Sequence, residues 1–321
     1  MITIEELQTI MKQYNSSNLS RTDFHEHNWI AHYQTLSSNI YQDIQLGQQY
    51  FVIMRDMIYP DLPVPLHSHT YYELSYCQSV SPITYLIETQ RYQICKGDII
   101  FVTPGISHRP IITSGQTPPF ERILIMLNQD LTEQIIHMFL SEDSIPPYYL
   151  LHTSGSQWEF LGSLFEQIIR ESELSRPASD GVIFGQIISL ISYIQRSTSE
   201  KGFQPQKVGL LDDILEYIET HLKESISLTD VSNSFYVSES TVVKLFRNKM
   251  NSSFHKYLVE RRLITAKKLI GEQVPLENVC YDSGFRDYSV FYRAFKKEYG
   301  VSPKEYRELL ESSHLAKSAF E

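Results

Sequence analysis

Residues 276–303, LENVCYDSGFRDYSVFYRAFKKEYGVSP, constrain this chain more than any other stretch. They read as two short helices joined by a tight turn. Gly284 sits where the first helix must stop, in a left-handed backbone conformation that a Cβ disfavours. Phe285 then turns inward, and Asp287 is placed to cap the second helix by accepting from its orphan N–H groups. Phe291, Phe295 and Tyr299 recur every four residues, so they share one helical face and belong to a core. Ser289, Tyr292, Arg293, Lys296 and Lys297 lie largely off that face. A helix-turn-helix with an apolar inner face and a polar, basic outer one is a candidate reader of the DNA major groove.

The pattern occurs twice. Residues 228–254, LTDVSNSFYVSESTVVKLFRNKMNSSF, repeat it about 48 residues upstream. Leu228 aligns with Leu276 and Val231 with Val279; after one inserted residue, Phe246 aligns with Phe295 and Ser253 with Ser302. Ser238 is expected to cap the second helix of this copy, over 239–250. Between the copies, 254–271 read as one continuous helix with Leu258, Leu263, Ala266, Leu269 and Ile270 inward. Eighteen residues at about 1.5 Å each make a spacer of roughly 27 Å. With the width of the flanking motifs, that spacer can set two readers about 34 Å apart, one turn of B-DNA. An amphipathic helix over 211–223, through Ile214, Ile218 and Leu222, precedes the first copy. Ser302, Pro303 and Glu305 supply an N-cap, an N1 proline and an N3 glutamate for a last helix.

The net charge of −10 argues against nucleic acid only while the chain is taken whole. Residues 1–207 carry 12 Lys/Arg against 21 Asp/Glu, whereas residues 239–310 carry 14 against 9. The basic surplus therefore coincides with the two motifs, as an electrostatic DNA footprint requires.

At 321 residues the chain is long enough for two cores, and its 42% hydrophobic content is that of a globular protein. No apolar run approaches the roughly 20 residues of a membrane helix. The first residues, MITIEELQTIMKQY, form an amphipathic helix candidate without the basic segment and apolar core of a secretory signal. His25 and His27 follow in a polar stretch read as surface loop. Three cysteines with no CxxC spacing suit a reduced, cytoplasmic protein.

From residue 49 the texture changes to short β-branched and aromatic runs separated by Pro, Gly and polar turns. Strands are expected at 50–58, 67–77, 84–88, 91–94, 98–103 and 122–127, which suggests a small barrel or sandwich over 49–128. Along the second of these, His67, His69, Tyr71, Glu73 and Ser75 would share one face. So polar a row makes a poor core and reads as the lining of a cavity. A second fragment, GDIIFVTPGISH, ends in His108 and belongs with the first. Three readings are open for the set: a metal site, a polar sugar-binding pocket, and residues with structural hydrogen bonds only.

Residues 130–198 turn helical, with apolar stripes over 157–174 and 180–196 joined by a short SRPAS link, hence antiparallel neighbours. The pair is expected to cover the barrel and also to make a dimer contact. Residues 199–208 are polar and aperiodic and read as the linker. The expected domains are thus 1–198, barrel plus helices, and 209–321, all-α with the duplicated motif: a multidomain α+β chain.

Two resemblances sharpen this. The fragments HSHTYYE, 67–73, and GDIIFVTPGISH, 97–108, resemble the two motifs of the cupin barrel. In metal-binding cupins that resemblance would assign His67, His69, Glu73 and His108 as ligands. The second fragment departs from the strict cupin spacing by one residue before its proline. Residues 212–307 are similar to the DNA-binding domain of the AraC/XylS family of bacterial transcription regulators. The pattern GFxDxSxFxRxFKx3GxSPx2YR, from Gly284 to Arg307, and YLx3Rx3Ax2L, from Tyr257 to Leu269, carry the likeness. The family's commonest architecture places a cupin-like, effector-binding and dimerising domain in front.

What the resemblance implies is a ligand-responsive activator of carbohydrate-utilisation genes, without catalytic residues, cofactor or metal. Its partners would be double-stranded DNA, a sugar effector, a second copy of the chain and RNA polymerase. Base contacts would fall to Tyr288, Ser289, Tyr292 and Arg293 in the second motif and to Ser240, Thr241, Val243 and Lys244 in the first. Arg247, Arg262, Lys296 and Lys297 would touch phosphate or form structural ion pairs. His67, His69, Tyr71, Glu73 and His108 would bind the effector. The competing readings are a cupin metalloenzyme fused to a DNA-binding domain, and a constitutive regulator whose barrel only dimerises.

Overall fold

The structure, a computed structural model, describes residues 50–59, 64–112, 119–139, 145–174, 176–197 and 209–318. The expected first helix, the His25/His27 pair and the linker lie outside these residues.

The strands are β1 (Phe51–Ile58), β2 (Tyr72–Cys77), β3 (Ile83–Ile87), β4 (Gln90–Ile94), β5 (Ile99–Val102), β6 (His108–Ile111), β7 (Phe120–Leu127) and β8 (Tyr148–Leu151). They form two antiparallel sheets, ordered β1-β7-β2-β5-β8 and β4-β3-β6, and His67, in the segment leading to β2, makes an isolated antiparallel bridge to His108 of β6. The hydrogen-bonded ladders thus make a two-sheet sandwich, not a single closed barrel. β6 and β8 were not expected: β6 holds a proline, and β8 lies within the stretch read as helical. The segment 67–71, expected as strand, joins the ladder only through His67.

Alternation along the strands gives the sandwich two cores. One face of the five-stranded sheet, with Leu74, Ile123, Ile125 and Phe101, packs against α2 (Leu161–Leu174) and α3 (Ser179–Ser197) through Phe165, Ile168, Ile187 and Ile191. A short α1 (Gln129–Phe139) adds Ile135 and Ile136 to that core. The opposite faces meet between the sheets, where Ile100 and Val102 pack on Ile83, Tyr85 and Ile87. The helical pair therefore covers the sheet, as its apolar stripes predict.

The C-terminal domain consists of α4 (Leu210–Thr220), α5 (Leu228–Ser234), α6 (Glu239–Met250), α7 (Phe254–Gly271), α8 (Leu276–Asp282), α9 (Tyr288–Tyr299) and α10 (Pro303–Ser318). The expected caps form: Ser238 accepts from the Thr241 amide, Asp287 from the Val290 amide, and Ser302 and Glu305 complete a reciprocal capping box. Phe291, Phe295 and Tyr299 are buried in one core with Leu263, Ala266 and Ile270 of α7. Val242, Phe246 and Met250 of α6 lie in another, which also takes in Leu66, Leu86 and Ile111 of the sandwich.

Gly284 has φ +92, and a Cβ there would run into the Leu222 carbonyl. The glycine is needed for both conformation and space. Its counterpart in the first copy, Tyr236, holds the same left-handed conformation (φ 53) with a side chain 95% exposed.

Candidate nucleic-acid interface and effector cluster

Both reading helices present their polar faces to solvent. On α9, Tyr288, Ser289, Tyr292 and Arg293 are exposed and Lys296 is half-buried. On α6, Ser240, Val243, Lys244 and Arg247 are exposed and Thr241 is half-buried. The Ser238 hydroxyl lies 2.8 Å from both Ser240 Oγ and Thr241 Oγ1, so the first turn of α6 is a cluster of hydroxyls around the cap. These residues can offer hydrogen bonds to base edges and phosphates, and Arg293 can pair bidentately with guanine. Arg262 is spent otherwise: its guanidinium donates to the Leu222 carbonyl at 3.3 Å and the Glu224 carbonyl at 2.7 Å, fastening α7 to the end of α4.

Inside the sandwich, His67, His69, Glu73 and His108 converge. His69 Nε2 lies 3.3 Å and His108 Nε2 3.5 Å from Glu73 Oε2. The His67 and His108 ring centroids are 4.5 Å apart. Tyr71 stacks on His69 at 3.8 Å and packs with Leu124 and Met126. On its other oxygen Glu73 accepts from Arg122 at 3.3 Å, and Arg122 also donates to Asp56 at 2.8 Å. Arg122 and Tyr85, which completes this network, were not singled out by the sequence, although an arginine opening the apolar run RILIML was a signal. His67, His69, Tyr71 and Glu73 thus lie together, but not along one strand, since only Glu73 and Ser75 of the expected row lie in β2.

Each histidine is anchored through Nδ1 to a backbone carbonyl: His67 to Pro65 at 2.9 Å, His69 to Tyr71 at 2.8 Å, His108 to Ile106 at 3.0 Å. A carbonyl only accepts, so each Nδ1 carries the hydrogen and each Nε2 is left with a lone pair or an added proton. Burial holds the His67 ring far below its ordinary pKa, with the neighbouring His108 adding to the effect. Burial penalises the Glu73 charge, yet His108 and the Arg122 guanidinium outweigh it and hold the carboxyl well below the usual range. One nitrogen each of His67 and His108 and a Glu73 oxygen lie within 4.8 Å of one another. Nδ1 anchored to a carbonyl is the outer-shell arrangement of metal-ligating histidine, so His67 and His108 with the Glu73 carboxylate fit a divalent cation.

The sandwich also grips the helical domain. Arg91 pairs bidentately with Asp212 of α4 at 2.7 and 2.9 Å. Arg261 of α7, buried, reaches Glu88 at 3.1 Å, Ser107, and Glu219 at 2.7 Å. Lys267 donates to the Ser68 carbonyl at 2.9 Å and Arg109 to the Met250 carbonyl at 2.6 Å.

A two-sheet sandwich holding a buried polar cluster, joined to a duplicated helix-turn-helix with both reading faces open, defines a DNA-binding regulator. The model of the helix-turn-helix domain family matches residues 231–309. The chain is 32% identical over 173 residues to the probable transcriptional regulator LumQ of Photobacterium leiognathi, covering 51% of this chain and 69% of that protein. It is 23% identical over 259 residues to the transcriptional activator RhaS of Escherichia coli O1:K1, covering 78% and 89%. Among solved structures, a Listeria innocua protein of unknown function is 31% identical over 32% of this chain and 98% of its own, with a TM-score of 0.31. The chain belongs to the AraC/XylS family of transcriptional regulators. No helix among the described residues is long and apolar enough to cross a membrane.

Proposed function

We propose that this regulator is a ligand-responsive activator that reads two successive major grooves with α6 and α9 and senses its effector at the cluster of His67, His69, Tyr71, Glu73 and His108. The observation that carries the reading is the joint exposure of the two capped reading helices on one rigid spacer, α7. In this reading the effector is a carbohydrate, the target genes serve its use, and RNA polymerase is the downstream partner. Atoms 3.3 to 3.5 Å apart leave no room for a sugar between them, so a sugar binds beside the cluster or displaces a ring. Phe160, Leu174 and Val182, 46%, 45% and 48% exposed on or beside α2 and α3, support a contact with a second copy of the chain. The test is binding to DNA upstream of its own coding sequence, followed across salt concentration. A specific, salt-sensitive complex weakened by Arg293→Ala is expected; a complex indifferent to sequence would refute the reading.

The convergence of His67, Glu73 and His108, with both histidines anchored through Nδ1, favours a second occupant of the same cluster, a divalent metal ion held by these three residues. Such an ion would supply positive charge beside the Glu73 carboxylate, within reach of one nitrogen each of His67 and His108. Metal content after purification without chelators, and the visible spectrum of the Co²⁺-loaded protein, check this; sub-stoichiometric metal with no spectrum refutes it.

A further inference from the structure

The contacts that hold the two domains together come from the sequence neighbours of the cluster histidines. Ser68, between His67 and His69, accepts from Lys267 through its carbonyl at 2.9 Å. Ser107 and Arg109 flank His108; the first accepts from Arg261 and the second donates to Met250. On β6 the alternation is direct. His108 pairs with Ile87 and Pro110 with Tyr85 on the inner face, while Arg109 pairs with Leu86, and Leu86 and Ile111 pack against the helical domain. The His67 and His108 backbones exchange hydrogen bonds at 3.3 and 2.8 Å, so the two cluster-bearing segments move together.

The far ends of these contacts are just as specific. Arg109 takes the last carbonyl of α6, and Asn251, the left-handed residue that ends α6 (φ 44), donates its side-chain amide to the Ile112 carbonyl at 3.2 Å. Residues 251–253 are the joint between the first reading helix and α7. The sandwich therefore grips the joint that sets the angle of α6. It also shares a core with α6 through Leu66, Leu86 and Ile111, whereas α9 sits in a separate core on α7.

We propose that the cluster and the first reading helix are coupled through β6: what occupies the His67–His69–Glu73–His108 cluster sets the angle of α6 at its joint with α7. Reading of the half-site under α6 is then effector-dependent, while reading under α9, which the sandwich reaches only by way of α7 side chains such as Lys267 over Tyr299, changes less. This deepens the regulator reading above and rests on it.

A cycle of variants in the full chain tests the coupling without a known effector. Glu73→Gln alters the cluster from inside; Arg109→Ala and, separately, Asn251→Gly cut the outer contacts. Asn251→Gly keeps the left-handed conformation and removes only the amide, so it controls for misfolding by Arg109→Ala. Anisotropy and footprinting use the DNA upstream of the chain's own coding sequence. Glu73→Gln is expected to change affinity about 5-fold or more, with the footprint altered more under α6 than under α9. In the Arg109→Ala and Asn251→Gly backgrounds the same change is expected to be less than about 2-fold. An equal effect in all backgrounds, an equal effect on both half-sites, or no effect of Glu73→Gln overturns the coupling. A wild-type chain that fails to bind the DNA refutes the regulator reading instead.

Discussion

His108 and Arg109 are consecutive on β6 and serve opposite sides of the three-stranded sheet. His108 Nε2 lies 3.5 Å from Glu73 inside the sandwich, and Arg109 donates at 2.6 Å to the Met250 carbonyl at the end of the first reading helix. A strand's two-residue period is what permits this, since neighbours on one strand face opposite ways.

The second reading helix gives the plainest prediction. Arg293 is exposed on α9 beside Tyr292, and its replacement by Ala should weaken operator binding by about 1–3 kcal/mol and relax specificity at one base pair. Competition against single-base operator variants measures both. An equal loss for every sequence would reassign Arg293 to phosphate.

The two left-handed turns should respond in opposite directions to substitution. Gly284→Ala places a Cβ against the Leu222 carbonyl at φ +92, and should cost roughly 2 kcal/mol or more. Tyr236→Gly relieves a left-handed tyrosine whose side chain is exposed, and should stabilise by about 1 kcal/mol. Urea midpoints of the two variants against the parent decide the matter.

Arg261 is buried between Glu88, Ser107 and Glu219, so removing it strands carboxylates on both domains. Glu88 and Glu219 are about a third exposed and can regain water, so Arg261→Ala should cost on the order of 1–3 kcal/mol. Because the ties to Glu88 and Ser107 span the domains, calorimetry should show the helical domain unfolding separately and earlier.

Glu260 of α7 is buried facing Arg109 of β6, with Lys256 3.7 Å away and Glu298 nearby. Burial raises its pKa to about 7, against the opposing pull of Arg109 and Lys256. A raised carboxyl stabilises the fold while protonated. That contribution is complete below the ordinary carboxylate pKa of about 4.5 and is lost as pH rises through about 7. Glu260→Gln should therefore flatten the stability profile between those values and leave the variant more stable at pH 8, by on the order of 2–3 kcal/mol. Denaturation midpoints at pH 5 and pH 8 provide the check; a parallel loss of stability in both proteins would exclude Glu260 as the cause.

Local chemistry made much of the helical domain legible in sequence. Caps at Ser238, Asp287 and Ser302, the stop at Gly284 and the four-residue spacing of Phe291, Phe295 and Tyr299 act within one or two turns of chain, so their effects can be read from adjacent letters. The polar row at 67–73 was legible as a set of residue types, because three histidines and a glutamate stay conspicuous whatever the backbone does. Tertiary structure alone decided the rest. No local pattern marks Arg109, Glu260, Arg261 and Lys267, yet all four are buried where the sandwich meets the helical domain. β6 and β8 escaped notice because a proline and a four-residue length weaken the strand signal, and each is stabilised by a partner distant in sequence. Contacts between residues up to 199 apart, such as Lys267 with Ser68, leave no local periodicity to read. They exist only once both domains have folded and met.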